Sequence, residues 1–407
     1  GLHVELVRRL REESKPKAHR GEFAGVHPCP ESTSEVHDEP EARLVVLGPQ
    51  HPHRKGQTDT PGLKFARTLL DQRGNSPRLN RNMLVFLAPD AAQLDALLQG
   101  TAQHLAWKSI YEEREELNLD AFQRKQAETK QKETDGTVDA RIRETWTLAL
   151  VPVHNAVEGG AQVRPDELIA LDEIRIQGSD PLAKRTSKKL VTDGQLVPAL
   201  GGTTLRHHLD TWLWKDKDHV SVGQLAEWFA RYLYLPRIIS RDTLHGAVKD
   251  GLGGLLVEET FTFAAGYDEA TKRYRGLQLR AKNPLLEAGS LLVKPGVAEA
   301  QLQADEEAEL AHKAALQTSK GDGGGGGGFT LVSTSGGKDA TSTGKDITKA
   351  PVEVPAPKKP SVFVGSVKLD GSRLGRDAGK VAEEVLQHLS TLPGAEVERC
   401  WRTSSAT

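Results

Sequence analysis

Basic side chains that could hold phosphate are the main candidates for chemistry in this sequence. One group occurs where two helical patterns precede a strand-like, alternating pattern, and it comprises Arg237, Arg241, Lys249, Lys272, Arg273 and Arg275. A helix followed by a β-ribbon is the layout in which such side chains meet the backbone of duplex DNA. Acidic residues are interleaved with them, at Asp242, Asp250, Asp268 and Glu269. Contact with another protein is therefore the alternative interpretation.

A second basic group, Arg78 and Arg81, stands in the loop before the most apolar run of the chain. An arginine at the end of a strand can hold a phosphate through two parallel N–H bonds. Nucleotide contact is one interpretation of this pair. The other is that both are solvated loop residues that pair with nearby acids.

Other familiar motifs of catalysis are missing from the sequence. A phosphate-binding loop needs a hydroxyl after its lysine, and Gly344-Lys345-Asp346 has none. The glycines around Gly253 follow a helical pattern, so we predict that they end a helix. The histidine pairs His51/His53 and His207/His208 have no second pair at a zinc-binding spacing. We therefore predict no catalytic residue, no metal site and no cofactor in this chain.

Composition narrows the class of protein further. The formal net charge is −2, so any contact with nucleic acid must come from a local patch. The two cysteines, Cys29 and Cys400, are far apart, which excludes a disulfide scaffold and suits a reducing compartment. No apolar stretch approaches the roughly 20 residues of a membrane helix, and no secretory signal opens the chain. We expect a cytoplasmic protein with no membrane contact.

The elements that must position these residues begin with the run Met83–Ala88, which predicts a strand buried on both faces. Asp90 is placed to cap a helix that continues to about Tyr111. A second helical pattern, 118–146, is charged or amide-bearing on all sides over 123–137, which is typical of an arm that leaves the body. Shorter apolar or alternating runs at 43–49, 148–151 and 172–176 predict further strands of a small βαβ layer.

A different pattern follows from residue 181. Ser221 and either Ser240 or Asp242 can cap two successive helices, and the segments 261–264 and 274–279 alternate like the strands of a hairpin. This is the layout of a winged helix.

The predicted fold is α/β plus mainly helical, in six segments: a helix end and irregular segment (1–41), a βαβα body (42–116), a helical arm with returning strands (117–180), a winged-helix-like domain (181–294), a helix with a Gly/Ser/Pro-rich linker (295–360) and a small, truncated α+β module (361–407).

Long strings spread over most of the chain resemble the domain-of-unknown-function 499 (DUF499) family. They are Arg73–Asp90, Leu105–Ile110, Leu117–Gln123, His219–Val222, Phe229–Pro236, Tyr267–Ala270, Arg273–Leu277 and Gly375–Ala378. Members are large bacterial and archaeal proteins whose amino-terminal part resembles a P-loop ATPase of the AAA-like kind. They are often encoded beside DNA methyltransferases and helicases and are associated with defence against phage.

The resemblance implies ATP and magnesium for the parent protein, but its phosphate-binding part would precede Gly1. The chain also begins without methionine inside an amphipathic helical pattern, so we expect a piece of a longer protein. The segment 398–407 departs from the strand expected there. The implied function is a non-catalytic, carboxy-terminal portion that contacts duplex DNA or assembles with methyltransferase or helicase subunits, or with further copies of itself. A stand-alone nucleic-acid-binding or protein-interaction module is the alternative.

Overall fold

The computed structural model describes residues 1–154, 169–215, 217–254, 259–281 and 284–318. They belong to the first of the two units of the chain, Gly1–Gly325. The helices in this part are α1 (Leu2–Ser14), α2 (Pro61–Asp71), α3 (Ala91–Glu112), α4 (Ala121–Thr145), α5 (Leu182–Thr192), α6 (Gly202–His208), α7 (Val222–Arg231), α8 (Arg241–Gly253) and α9 (Pro295–Thr318). The predicted linker beyond α9 and the predicted module at 361–407 lie outside the described residues.

The strands are short except near the middle of the chain. They are β1 (Gly25–Pro28), β2 (Arg43–Val46), β3 (Gln72–Arg73), β4 (Ser76–Pro77), β5 (Leu84–Ala88), β6 (Leu148–His154), β7 (Ile169–Arg175), β8 (His219–Ser221), β9 (Thr262–Ala264), β10 (Gly266–Asp268), β11 (Arg273–Arg275) and β12 (Leu291–Val293). The described part of the protein is therefore mixed α/β, as expected from the sequence.

A five-stranded mixed sheet, in the order β1-β2-β5-β6-β7, organises the first half of the chain. β2 and β5 are parallel and joined through α2, so the predicted βαβ unit is present. β6 runs antiparallel to β5, with Leu148 opposite Ala88, and β7 returns antiparallel along β6. The sheet and helices α1 to α5 are called the sheet body below.

Both faces of this sheet are covered, because its apolar residues alternate between two cores. On one face Val85 and Leu87 pack with residues of α1, α3, α4 and α5. On the other, Leu84 and Phe86 pack with the apolar side of α2. All five residues of β5 are buried, which is why its sequence is an uninterrupted apolar run. α5 contributes to the first of these cores, so the packing does not change at residue 181.

The charged segment after β5 forms a hairpin of two long helices, α3 and α4. Asp90 caps α3 by accepting from the Ala92 amide, as predicted, and Asp120 caps α4 in a reciprocal capping box with Gln123. Val138 and Ile142 of α4 belong to the core of the sheet body. The helix of the predicted arm, α4, is thus the second helix of this hairpin, and its last turns belong to that core.

A second core surrounds α6, α7 and α8, and it also includes residues of β8, β9 and β12. In the three-stranded antiparallel sheet, β12 lies between β8 and β9. Between β9 and β12 the chain forms the antiparallel ribbon β10-β11, and two hydrogen bonds between Phe263 and Gln278 extend it. The predicted hairpin is therefore present. Its first arm is divided into β9 and β10, and its second arm contains β11 and Gln278. Residues 202–293 are called the helix–ribbon body below.

The strands β1 and β12 are among those that were not predicted. The segment 25–28 was expected to be irregular, but it pairs in parallel with β2 and adds β1 to the sheet. β12 supplies the central strand of the small sheet. Each is held by pairing with a strand distant in sequence, and such pairing leaves little trace in local periodicity.

Candidate functional site

The outer face of α8 carries two exposed cations of the predicted basic group. Leu244, Val248 and Leu252 turn one side of the helix into the core of the helix–ribbon body. Arg241 and Lys249 are exposed, and neither forms an ion pair with a residue in the described part of the chain. His245 lies between them at the same four-residue spacing, so the three side chains follow one stripe along the helix.

The acidic residues of α8 do not cancel this stripe equally. Asp250 accepts a hydrogen bond from the main-chain amide of Gly202 at 2.8 Å, so its carboxylate is directed to the start of α6. Asp242 is exposed in the first turn, where a negative charge complements the helix dipole. The outer face of α8 carries two cations that have no ion pair with the described residues, beside one solvent-facing carboxylate.

The ribbon β10-β11 has its charges largely compensated. Lys272 pairs with Glu269 at 2.8 Å, and Arg273 pairs with Asp305 of α9. Amide hydrogen bonds from Thr271 and Ala270 lower the pKa of Asp268, and the charge of Arg275 contributes less to this shift. Of the predicted ribbon residues, Arg275 is exposed and has no ion pair with the described residues.

Arg237 was predicted to contact nucleic acid, but the structure places it in the interior. Its guanidinium donates to the carbonyl oxygens of Asn82 and Pro152, both at 2.6 Å, and of Gln195 at 3.1 Å. Burial lowers its pKa to about 10, which still leaves it charged at neutral pH. Every nitrogen of this side chain is used inside the protein, so Arg237 is not part of the candidate surface.

Arg78 has a similar arrangement. It is 2% exposed and donates to the carbonyl oxygens of Leu69, Val36 and His37 at 2.6, 3.0 and 3.2 Å. Its loop precedes β5, at the end of the sheet opposite to the carboxyl ends of β2 and β5. Open α/β sheets bind ligands outside the carboxyl ends of their strands. This position does not favour phosphate contact by Arg78, or by the half-buried Arg81 in the same loop.

A buried polar cluster that the sequence did not reveal lies beyond the carboxyl end of β2. His53 is fully buried, with Nδ1 2.6 Å from the hydroxyl of Thr60 and Nε2 3.1 Å from a carboxylate oxygen of Glu173. The second contact is close but is not a well-directed hydrogen bond. The order hydroxyl, imidazole, carboxylate is that of a nucleophilic triad. Thr60 is only 5% exposed and caps α2 through the Leu63 amide, so the cluster anchors a loop.

Comparisons with known proteins add no narrower class to this picture. No family model matches the sequence, no curated protein matches it, and no solved structure matches its fold. Among the described residues, no helix has the length and apolar character needed to cross a membrane. The same residues contain no group of three or more side chains able to hold a metal ion. The class rests on the architecture, a mixed α/β protein with a helix–ribbon body.

Proposed function

We propose that the helix–ribbon body is a winged-helix-type module that contacts duplex DNA through the outer face of α8. The observation that carries the proposal is a pair of exposed cations, Arg241 and Lys249, on the helix that precedes β9 and the ribbon. Neither forms an ion pair with a described residue. In a winged helix this helix enters the major groove, and the ribbon lies along the phosphate backbone.

The order of elements supports this proposal. Along the chain there are a helix, the short strand β8, the helices α7 and α8, the strand β9, the ribbon and the closing strand β12. β12 returns between β8 and β9, so the three helices and the small sheet share one core. Such a core fixes α8 from one side and leaves its other side for a partner.

The resemblance to the DUF499 family extends the proposal to the parent protein. The chain would be the non-catalytic part of an ATP-binding protein associated with DNA modification or phage defence, with ATP and magnesium bound upstream. A phosphate-binding loop in coding sequence before Gly1 would support this assignment. Nucleotide hydrolysis by this chain alone would contradict it.

DNA contact can be tested with a fluorescent duplex of about two helical turns and anisotropy titrations at several salt concentrations. Changing both Arg241 and Lys249 to Ala removes two phosphate contacts. We expect weaker binding, and a plot of log affinity against log salt whose slope falls in magnitude by about 1.8. The slope matters more than the affinity, because it counts the phosphate contacts that are lost.

The matched control changes Lys125 and Lys132 of α4 to Ala, because both are exposed and the net charge changes equally. This variant should retain the slope of the unmodified chain. Equal losses of DNA affinity and slope in both variants would show that the effect comes from overall charge alone. Absence of binding at about 50 mM salt would remove the proposal. The alternative would then be protein contact, for which the hairpin of α3 and α4 exposes Leu117 and Phe122 near its turn.

A further inference from the structure

A cleft lined by three arginines lies at the other end of the sheet body from Arg78. It has a volume of about 400 Å³, and its walls include Arg143, Arg175, Arg185 and Thr147. Glu144 is the one acidic residue among its lining residues. We call it the arginine cleft. Its volume falls within the range of small-molecule sites, roughly 300–1,000 Å³.

The arginine cleft occupies the edge of the sheet where open α/β folds bind ligands. β7 ends at Arg175, next to the loop after the carboxyl end of β5, and Arg175 pairs with Asp90 of that loop at 2.9 Å. The Ile176 amide donates to the Thr147 carbonyl at 2.8 Å, which joins the end of β7 to the start of β6. Side chains that follow strand ends here point toward the crevice used for ligands in this class of fold.

Two of the residues that line the cleft carry a buried donor without a partner among the described residues. The Thr147 hydroxyl and Nε of Arg185 form no hydrogen bond with any described residue, although the residues are only 8% and 5% exposed. The remaining nitrogens of Arg185 donate to the carbonyls of Gly178, Arg143 and Trp146 at 2.6–2.8 Å. Its guanidinium is therefore rigidly oriented. Buried donors without partners are rare in native proteins. Neither atom is open to the cleft, so Arg185 acts there through its charge.

The charges of the cleft favour an anion. Arg143 is exposed, and its side chain forms no ion pair in the described part of the chain. Arg175 is half-exposed and shares its charge with Asp90. Burial raises the pKa of Glu13, and the charges of Arg143 and Arg185 oppose this shift only in part. Three guanidinium groups stand against Glu144 and Asp90 at the cleft, so the local charge is positive.

We propose that the arginine cleft binds the phosphate group of a small anionic molecule. Arg143 and Arg175 supply charge-assisted N–H donors from the solvent side, and the buried guanidinium of Arg185 adds a fixed positive charge behind them. Phosphate offers several acceptor oxygens, which suits a fork of guanidinium groups better than it suits a single charge. This inference does not depend on the DNA proposal, because α8 contributes no residue to the cleft.

Calorimetric titration of the whole chain with inorganic phosphate, pyrophosphate and ATP tests the inference. Pyrophosphate should bind more tightly than phosphate, since two phosphate groups can engage more of the donors. Arg143→Gln should weaken this binding about tenfold, the loss expected from one charge-assisted hydrogen bond. ATP that binds more tightly than pyrophosphate would identify a nucleoside phosphate, and equal affinity would identify the phosphates alone as the ligand.

The matched control is Arg67→Gln, at an exposed arginine of α2 that does not line the cleft. It should bind pyrophosphate like the unmodified chain, and all variants should show the same circular dichroism and melting temperature. The inference is overturned if neither phosphate nor pyrophosphate binds at low ionic strength, or if Arg143→Gln and Arg67→Gln bind equally well. Loss of DNA affinity in Arg143→Gln, without any binding of the small anions, would overturn it as well.

Discussion

Two arginines that are close in sequence have contrasting surroundings. Arg237 lies at the junction between the sheet body and the helix–ribbon body, and Arg241 lies on the outer face of α8. At the junction, Arg237 is enclosed and donates to three main-chain carbonyls. Four residues later, Arg241 is exposed on the first turn of α8. Carbonyl oxygens that converge from separate loops can replace the water around a buried guanidinium. The number of such carbonyls within reach decides whether an arginine stabilises the fold or remains available to a partner.

The junction also shows what the buried arginine connects. Nδ2 of Asn82, just before β5, donates to the carbonyls of Phe229 and Leu235 at 2.9 and 3.1 Å. Arg237 donates back to the carbonyl of Asn82, and Met83 lies in the core of the helix–ribbon body. The segment 82–83 is therefore shared by the two bodies. We infer that the orientation of α8 relative to the sheet is set here.

The largest effect that separates the two regions is expected from Arg237→Met. Methionine keeps much of the apolar stem but removes every donor, which leaves three buried carbonyls without their partner. We expect the free energy of unfolding to fall by about 3–5 kcal/mol, as measured by urea denaturation at pH 7.

Arg241→Met is the matched comparison. The same chemical change at an exposed position should alter stability by no more than about 0.5 kcal/mol and should weaken DNA binding. Comparable destabilisation by the two substitutions would show that the contrast between the regions is wrong. If Arg237→Met were as stable as the unmodified chain, the stabilising role of Arg237 at the junction would be wrong.

The sequence was informative where one residue type dominates a local run. The apolar series before Pro89 predicts β5 because a strand buried on both faces has no polar position. Asp90 and Ser221 were assigned as caps from their place before helical patterns, and both accept the expected amide hydrogen bond. These features depend on neighbours within a few residues.

Features that depend on distant carbonyls could not be predicted in this way. The partners of Arg237 are up to 155 residues away, and its apolar neighbours Ile238 and Ile239 do not show which carbonyls it meets. The arginine cleft is similar, because its three arginines belong to three different elements. Arg143 lies in the last turn of α4, Arg175 ends β7, and Arg185 lies in the first turn of α5. Only the antiparallel return of β6 and β7 brings them to one edge of the sheet.

An intermediate effect is expected from pH in the sheet body. Burial lowers the pKa of His27 on β1 to about 4, with smaller contributions from the charges of Arg43, His37 and Arg78. The neutral imidazole is thus favoured in the folded state. Below about pH 6.5 the unfolded chain takes up a proton that the folded chain does not, so stability falls as the pH drops toward 4. Because His27 is partly exposed, we expect a loss of about 1–2 kcal/mol between pH 7.5 and pH 5.

His27→Gln removes the titrating group and should flatten the dependence of stability on pH, measured by urea denaturation at a series of pH values. Some slope should remain, because burial also lowers the pKa of His208 in the helix–ribbon body. An unchanged slope in His27→Gln would exclude β1 as the origin of the acid sensitivity.

The smallest effect should come from the turn of the ribbon. Lys272 has a positive φ of 55°, a conformation that costs energy for any residue with a Cβ. Lys272→Gly removes that cost, whereas Lys272→Ala keeps it, and both lose the same exposed ion pair with Glu269. We expect Lys272→Gly to melt at a slightly higher temperature than Lys272→Ala, and the two to bind DNA equally, since the same charge is lost. The reverse order of melting temperatures would show that the turn is not held in this conformation in solution. A difference in DNA affinity would show that the shape of the ribbon, and not only its charge, contributes to the contact made beside α8.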